Sequence, residues 1–293
     1  MPQPVFGRLL TAMVTPFAAD GSVHLAEARK LAAYLVDDQR NDALVINGTT
    51  GESPTTTDTE KSELLAAVVA EVGDRAKVVA GVGTNDTRHT IELARQAEAA
   101  GAHGLLVVTP YYSRPPQDAL LAHFTAVADA TELPVMLYDI PHRSGVPIET
   151  ATLIELARHS RIVAVKDAKG LVVASSTVIA ATDLAYYSGD DGLTLPLLSV
   201  GAVGVVGTST HFTGARAKAM IEKFLAGDVA AAIADNSALL PVFTGVFATQ
   251  GCVLVKAGLA ARGFGPAVLR PPMPTATQAQ SDAFIALLDA AGL

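Results

Sequence analysis

Lys166 closes the apolar run Ile162-Val163-Ala164-Val165 and is followed by Asp167. An ammonium at the end of a hydrophobic strand is disfavoured by desolvation, which lowers its pKa and enlarges the neutral, nucleophilic fraction. That is what Schiff-base formation with a carbonyl substrate requires. An equally weighted alternative is a lysine paired with Asp167, or one snorkelling outward. Tyr138 ends the preceding apolar run, and Tyr112 and Thr49 follow two others. Two phenols and a hydroxyl on one face can pass protons to and from a carbinolamine. Each alone is more often structural; convergence with Lys166 raises the joint reading. Gly48-Thr49-Thr50-Gly51 puts two hydroxyls and free backbone N–H groups in one turn ahead of a helix starting near Thr59, an arrangement suited to a carboxylate. Such turns also occur without ligands. Arg143, two residues after Pro141, can hold a second carboxylate bidentately, although a lone loop arginine is most often solvated.

These residues need a scaffold that brings them to one face. Short, β-branched, nearly continuous apolar runs recur at Leu9–Val14, Ala43–Asn47, Lys77–Gly81, Gly104–Thr109, Pro134–Tyr138, Ile162–Lys166, Leu184–Ser188 and Val203–Gly207. Strands buried on both faces read this way. Amphipathic, Ala-rich stretches separate them, among them Leu25–Leu35, Glu60–Glu71, Thr87–Ala100, Asp118–Ala130 and Ile148–Arg158. Thr59-Glu60 and Asp86-Thr87 offer N-cap chemistry, and Gly73 and Gly101 offer stops. The pattern predicts a (β/α)8 TIM barrel, in which side chains at the C-terminal strand ends face the site. A doubly wound open sheet is the runner-up, but no Gly-rich phosphate turn follows the first run. The barrel is expected to occupy residues 1–227. Residues 228–293 are expected to form a C-terminal helical domain with helices near Val229–Leu239, Val253–Ala261 and Gln278–Ala291, separated by Pro241 and the Pro271-Pro272-Met273-Pro274 turn.

Composition removes other classes. The 293 residues are 50% hydrophobic and 17% charged, which argues against disorder. Net charge is −8 and no basic run occurs, so neither nucleic acid nor an anionic membrane surface is an expected partner. The apolar runs are too short to span a bilayer, and the first residues lack a signal peptide's pattern, so a cytoplasmic protein is expected. The single Cys252 permits neither an intrachain disulfide nor a Cys-based zinc site. No metal is expected: Asp190-Asp191 lack His or Cys companions and read as loop-fixing hydrogen-bond acceptors.

Gly48-Thr49-Thr50-Gly51-Glu52-Ser53, Thr109-Pro110-Tyr111-Tyr112, Leu137-Tyr138-Asp139-Ile140-Pro141-His142-Arg143-Ser144-Gly145 and Val165-Lys166-Asp167 stand in an order and spacing that resemble one family. It is the dihydrodipicolinate synthase (4-hydroxy-tetrahydrodipicolinate synthase) family, of the pyruvate-dependent class I aldolase and N-acetylneuraminate lyase superfamily. The likeness runs from about Leu9 into the C-terminal helices. It implies a lyase that condenses pyruvate with L-aspartate 4-semialdehyde, the entry to diaminopimelate and lysine biosynthesis, with no cofactor. It also implies a homotetramer, a dimer of dimers. On that likeness Lys166 matches the Schiff-base lysine and Tyr138 the general acid/base. Thr49 and Tyr112 match its proton relay, with Tyr112 reaching a neighbouring subunit's site. Thr50 and the Val206 backbone match pyruvate-binding positions, Arg143 receives the semialdehyde's carboxylate, and Gly189 lies in the loop after the seventh strand. Asp139, Ser144 and Asp167 depart from the Asn, Thr and Glu common at those positions.

Rival functions are separable. N-acetylneuraminate lyases resemble the chain less, reading Gly-Ser-Thr-Gly-Glu at the turn and lacking the arginine. Sugar-acid aldolases or dehydratases stand further off. A non-catalytic ligand-binding paralogue usually loses the lysine or tyrosine, and both are present. In lysine-sensitive relatives an interface site carries histidines and a glutamate; the matching positions here are Asp58, Lys61 and His89, so weak feedback is expected.

Overall fold

The computed structural model describes residues 2–293. Eight parallel strands close into a barrel in sequence order: β1 (Leu9–Ala12), β2 (Ala43–Ile46), β3 (Lys77–Gly81), β4 (Gly104–Val108), β5 (Val135–Asp139), β6 (Ile162–Asp167), β7 (Ala185–Ser188) and β8 (Gly204–Gly207). This is the expected TIM barrel. The helices Leu25–Asp37, Asp58–Val72, Thr87–Ala99 and Gln117–Asp129 follow β1 to β4, and Thr210–Leu225 follows β8.

Strand alternation sorts the core. Ala12, Val45, Met136, Ala164 and Ala185 pack together in the lumen, while Leu44, Val78, Leu137, Val165 and Tyr186 pack against the helices. Lys166 therefore points the way Ala164 does, into the barrel. At the opposite end the Tyr187 hydroxyl donates to the Gly7 carbonyl at 2.9 Å and accepts from the Phe6 N–H at 3.2 Å, closing the floor.

Several boundaries differ from the expectation. β5 and β6 each run one residue further than read, so that Asp139 and Asp167 form a last rung beyond Tyr138 and Lys166. The second helix starts at Asp58, close to the expected Thr59, but its cap is Thr57 rather than Thr59, in a reciprocal capping box with Glu60. Asp86 caps the third helix as expected, accepting from the Arg88 N–H, and Gly101 supplies the left-handed residue that stops it. The short helix Pro141–Ser144 and the helix Val172–Ala181 carry no clear periodic signal. Pro241 does not separate helices. It lies inside Val229–Gly245, where Leu239, Val242 and Phe243 are buried around it and their packing outweighs the lost backbone bond. Helices Gly251–Ala261 and Gln278–Ala290 complete the C-terminal region, with Phe284 edge-on to Phe212 at 5.7 Å. No helix among the described residues is long and apolar enough to cross a membrane.

Candidate active site

The C-terminal ends of the strands surround a cavity of about 440 Å³ lined by Thr49, Thr50, Tyr138, Arg143, Lys166 and Gly189. Lys166 is 4% exposed, and among the described residues its ammonium has neither a hydrogen-bond acceptor nor a carboxylate partner. The alternative pairing with Asp167 does not form. Asp167 is on the helix-facing side of β6, where it accepts from the Ser175 hydroxyl at 2.5 Å and from the Lys169 N–H at 2.8 Å. Nor does Lys166 snorkel. Its Nζ lies 4.2 Å from the centroid of the Tyr138 ring. Burial pulls its pKa down to about 8, with the Asp191 carboxylate opposing and the Arg143 charge assisting.

Tyr138 is buried on the rung facing Lys166, and burial raises its phenol to about 12, with Arg143 and the Thr49 hydroxyl moderating the rise. Asp191 is 1% exposed and accepts from the N–H groups of Thr208 and Ser209 and from the Ser209 hydroxyl at 2.6 Å. Asp190 accepts from the Gly192 N–H at 2.9 Å. Both aspartates fix loops, as expected. Among the described residues, no three His, Cys, Asp or Glu side chains are grouped as metal ligands. A side chain at Gly189 would put its Cβ 3.0 Å from that of Ala168, a tight approach that would require the neighbour to give by a few tenths of an ångström.

The turn after β2 is not at a helix N-terminus, because the 3-10 turn Ser53–Thr55 intervenes before Asp58. Its own backbone supplies the donors instead. The N–H groups of Gly51, Glu52 and Ser53 are spent inside the turn, whereas those of Thr49 and Thr50 take no acceptor among the described residues. Two free N–H groups beside two hydroxyls form a small anion nest. Arg143 is exposed on the short helix after β5, its Nη2 3.4 Å from the Gln250 side chain.

Two expected site residues sit elsewhere. Tyr112 lines an adjoining cavity of about 310 Å³ that shares Thr49, Tyr138 and Arg143; it is 91% exposed with a left-handed backbone. Val206 is buried in the lumen on β8 and does not line the main cavity. Other residues were missed. Phe247 and Gln250 line the cavity without any motif to announce them, beside Thr208 at the end of the eighth strand. Glu52 and Lys256 form a buried ion pair at 2.5 Å that fastens the turn to helix Gly251–Ala261, and the Arg270 N–H donates to Glu52 at 3.0 Å.

Comparison with known proteins gives the family. Residues 5–291 match the model of the dihydrodipicolinate synthetase family. The chain belongs to that family. A 4-hydroxy-tetrahydrodipicolinate synthase from Cutibacterium acnes is 63% identical over 289 residues, covering 99% of each chain. Among solved structures of dihydrodipicolinate synthases, one from Cyanidioschyzon merolae with lysine bound has a TM-score of 0.96 at 39% identity, covering 99% of this chain and all (100%) of that one. A chloride-inhibited member of the dihydrodipicolinate synthetase family from Acinetobacter baumannii, complexed with pyruvate, has a TM-score of 0.94 at 31% identity, covering 98% of this chain and 99% of that one.

Proposed function

We propose that this chain condenses pyruvate with L-aspartate 4-semialdehyde through an imine on Lys166, yielding 4-hydroxy-tetrahydrodipicolinate for diaminopimelate and lysine biosynthesis. The observation that carries the reading is the Lys166 amine: buried, unpaired and pulled down to about 8, against a phenol raised to about 12. Neutral Lys166 Nζ attacks the keto carbon of pyruvate. Tyr138 donates a proton to the departing oxygen, water leaves, and the protonated imine remains. That imine is the electron sink. Loss of a methyl proton gives an enamine whose carbon attacks the aldehyde, and the aldehyde oxygen takes up a proton. The semialdehyde's own amine then displaces Lys166 and closes the ring.

Thr49 and Thr50 hold the pyruvate carboxylate with their free N–H groups and hydroxyls, and Thr49 also serves Tyr138. Arg143 receives the second carboxylate at the cavity rim. A carboxylate-bearing aldehyde calls for such a cation, whereas a sugar calls for neutral hydroxyl partners, so Arg143 favours the synthase over a sugar-acid lyase.

Tyr112, exposed beside the site, suits a proton relay completed in a neighbouring subunit of a tetramer. The barrel (1–227) is the catalytic unit and residues 228–293 the helical domain beside it; a cytoplasmic location accords with the pathway. Lysine is proposed to bind weakly, because the cavity beside Ser53 and Tyr111 is lined by no carboxylate.

Incubation with pyruvate and borohydride tests the reading. Peptide mapping is expected to find one reduced pyruvyl group, on Lys166, and Lys166→Ala is expected to lose both adduct and activity. A label on another lysine would sink the assignment.

A further inference from the structure

Asp139 and Lys169 lie outside the cavity. Asp139 is fully buried (0% exposed) on the helix-facing side of β5, and its partner's side chain is 6% exposed. The two are 2.7 Å apart, Lys169 Nζ to Asp139 Oδ2. The other Asp139 oxygen accepts from the backbone N–H of Ile148 at 3.1 Å, and Lys169 Nζ also donates to the Ile148 carbonyl at 3.3 Å. One backbone unit, Ile148, is thus gripped at both its N–H and its C=O by the two members of a buried ion pair.

Ile148 is where the loop that leaves β5 at Ile140 returns to the barrel. Between those points lie the short helix Pro141–Ser144, with Arg143 on it, and Gly145 at φ +83°. The Ser144 hydroxyl is 3.1 Å from the Ile140 carbonyl and 2.9 Å from that of Val146, so the loop is braced internally. Its tip is free by comparison. The long contact to Gln250 is the single side-chain hydrogen bond of Arg143 among the described residues. The place of the guanidinium is therefore set mainly from the base of its loop.

That base is anchored to β6. The Lys169 N–H donates to Asp167 Oδ1 at 2.8 Å, and the Ala168 N–H donates to the Asp139 carbonyl at 2.9 Å. Burial pushes the Asp139 carboxyl up, and the ammonium beside it opposes that rise. Removing the lysine alone would leave two buried carboxylates, Asp139 and Asp167, on adjacent strands without a cation.

We propose that the buried Asp139–Lys169 pair is a positioning device for Arg143: it closes the Ile140–Ile148 loop at its base and so sets where the guanidinium meets the second substrate's carboxylate. The inference rests on the function proposed above. Lys169 touches no reacting atom.

The test compares Lys169→Met, Asp139→Asn and the double variant with the unsubstituted enzyme. Three quantities are read on protein shown to be folded by circular dichroism: the rate of borohydride-trapped pyruvate adduct, KM for pyruvate, and kcat/KM for the semialdehyde. Lys169→Met is expected to lower kcat/KM for the semialdehyde about tenfold or more, with adduct formation and KM for pyruvate within about twofold. The double variant strands no charge and is expected to be milder than Lys169→Met, a coupling that two independent residues would not show. If Lys169→Met does not fold, the double variant must still show the split between the two substrates. Equal loss of adduct formation and of semialdehyde turnover, or no change in either, overturns the inference. Failure of the unsubstituted enzyme to form any adduct overturns instead the function beneath it.

Discussion

The Lys166 ammonium stands 4.2 Å from the centre of the Tyr138 ring, and the two residues are register partners across β5 and β6. Their shared burial drives their pKa values apart, the amine to about 8 and the phenol to about 12. The ring face favours the charged amine, yet desolvation outweighs it. Two titrating groups separated in this way define a nucleophile and an acid at neutral pH.

A pKa near 8 leaves roughly a tenth of the amine neutral at pH 7, against roughly one part in three thousand at the unperturbed value. The rate of imine formation is therefore expected to climb between pH 6 and about 8 and to level above it. Rapid-quench trapping with pyruvate across that range checks this. A rate that is flat or falls with pH would contradict the assignment of Lys166 as a nucleophile activated by burial.

The same depressed pKa has a stability consequence. Because the folded pKa is below the unfolded one, the unfolded chain binds more protons between about 8 and 10.5, and stability rises with pH across that window. Below about 8 the full penalty applies, of order 3 kcal/mol. Lys166→Met removes it. That variant is expected to be inactive yet more resistant to urea at pH 7, by up to a few kcal/mol. A lowered denaturation midpoint would show that the lysine is held by favourable contacts instead.

Arg143→Ala separates the substrates. A charge-assisted hydrogen bond is worth roughly 1.5–3 kcal/mol, or about 10- to 150-fold in kcat/KM. The loss is expected for the semialdehyde, while KM for pyruvate moves little. Steady-state kinetics with each substrate varied in turn measures it, and equal losses would point to a structural arginine.

Lys166, Tyr138, Thr49 and Arg143 were legible because a barrel forces every strand end to one face, so locating strands locates the site. Their chemistry was legible from residue type. Residues that arrive from far along the chain left no such trace. Gln250 and Phe247 reach the cavity only through the packing of the C-terminal helices, which no periodicity encodes. Asp139 and Asp167 read as lying just past their strands, and nothing short of register shows that they form a further rung, with Lys169 pairing Asp139. Pro241 misled for a different reason: local propensity marks a break, and tertiary burial of its neighbours overrode it.

Glu52 and Lys256 carry the next expectation. Both are nearly inaccessible, at 3% and 4% exposure, and 204 residues apart in sequence. Lys256→Met strands the Glu52 carboxylate under the Thr49-Thr50 turn, at a cost of roughly 3–5 kcal/mol. Glu52→Gln with Lys256→Met is expected to recover most of that stability, because both charges leave together. Urea denaturation of the three variants decides it. A double variant no more stable than Lys256→Met would mean that the pair's hydrogen bonds, rather than its charge balance, hold the turn.

Weak feedback by lysine is the remaining expectation. A bound lysine needs a carboxylate for its side-chain ammonium, and the cavity beside Ser53 and Tyr111 offers none. Asp58, one of the positions matched to the sensing residues, is engaged with His89 at 2.9 Å. Lys61 is buried and donates to the Thr56 carbonyl at 2.5 Å, a cation at a position matched to a sensing residue. Losing one charge-assisted contact costs roughly 1.5–3 kcal/mol, at least about tenfold in affinity. Millimolar lysine is expected to leave activity nearly unchanged, whereas His89→Glu, which restores a carboxylate and releases Asp58, is expected to sensitise the enzyme. Half-inhibition of the unsubstituted enzyme well below a millimolar would show that Asp58 turns from His89 to meet the ligand.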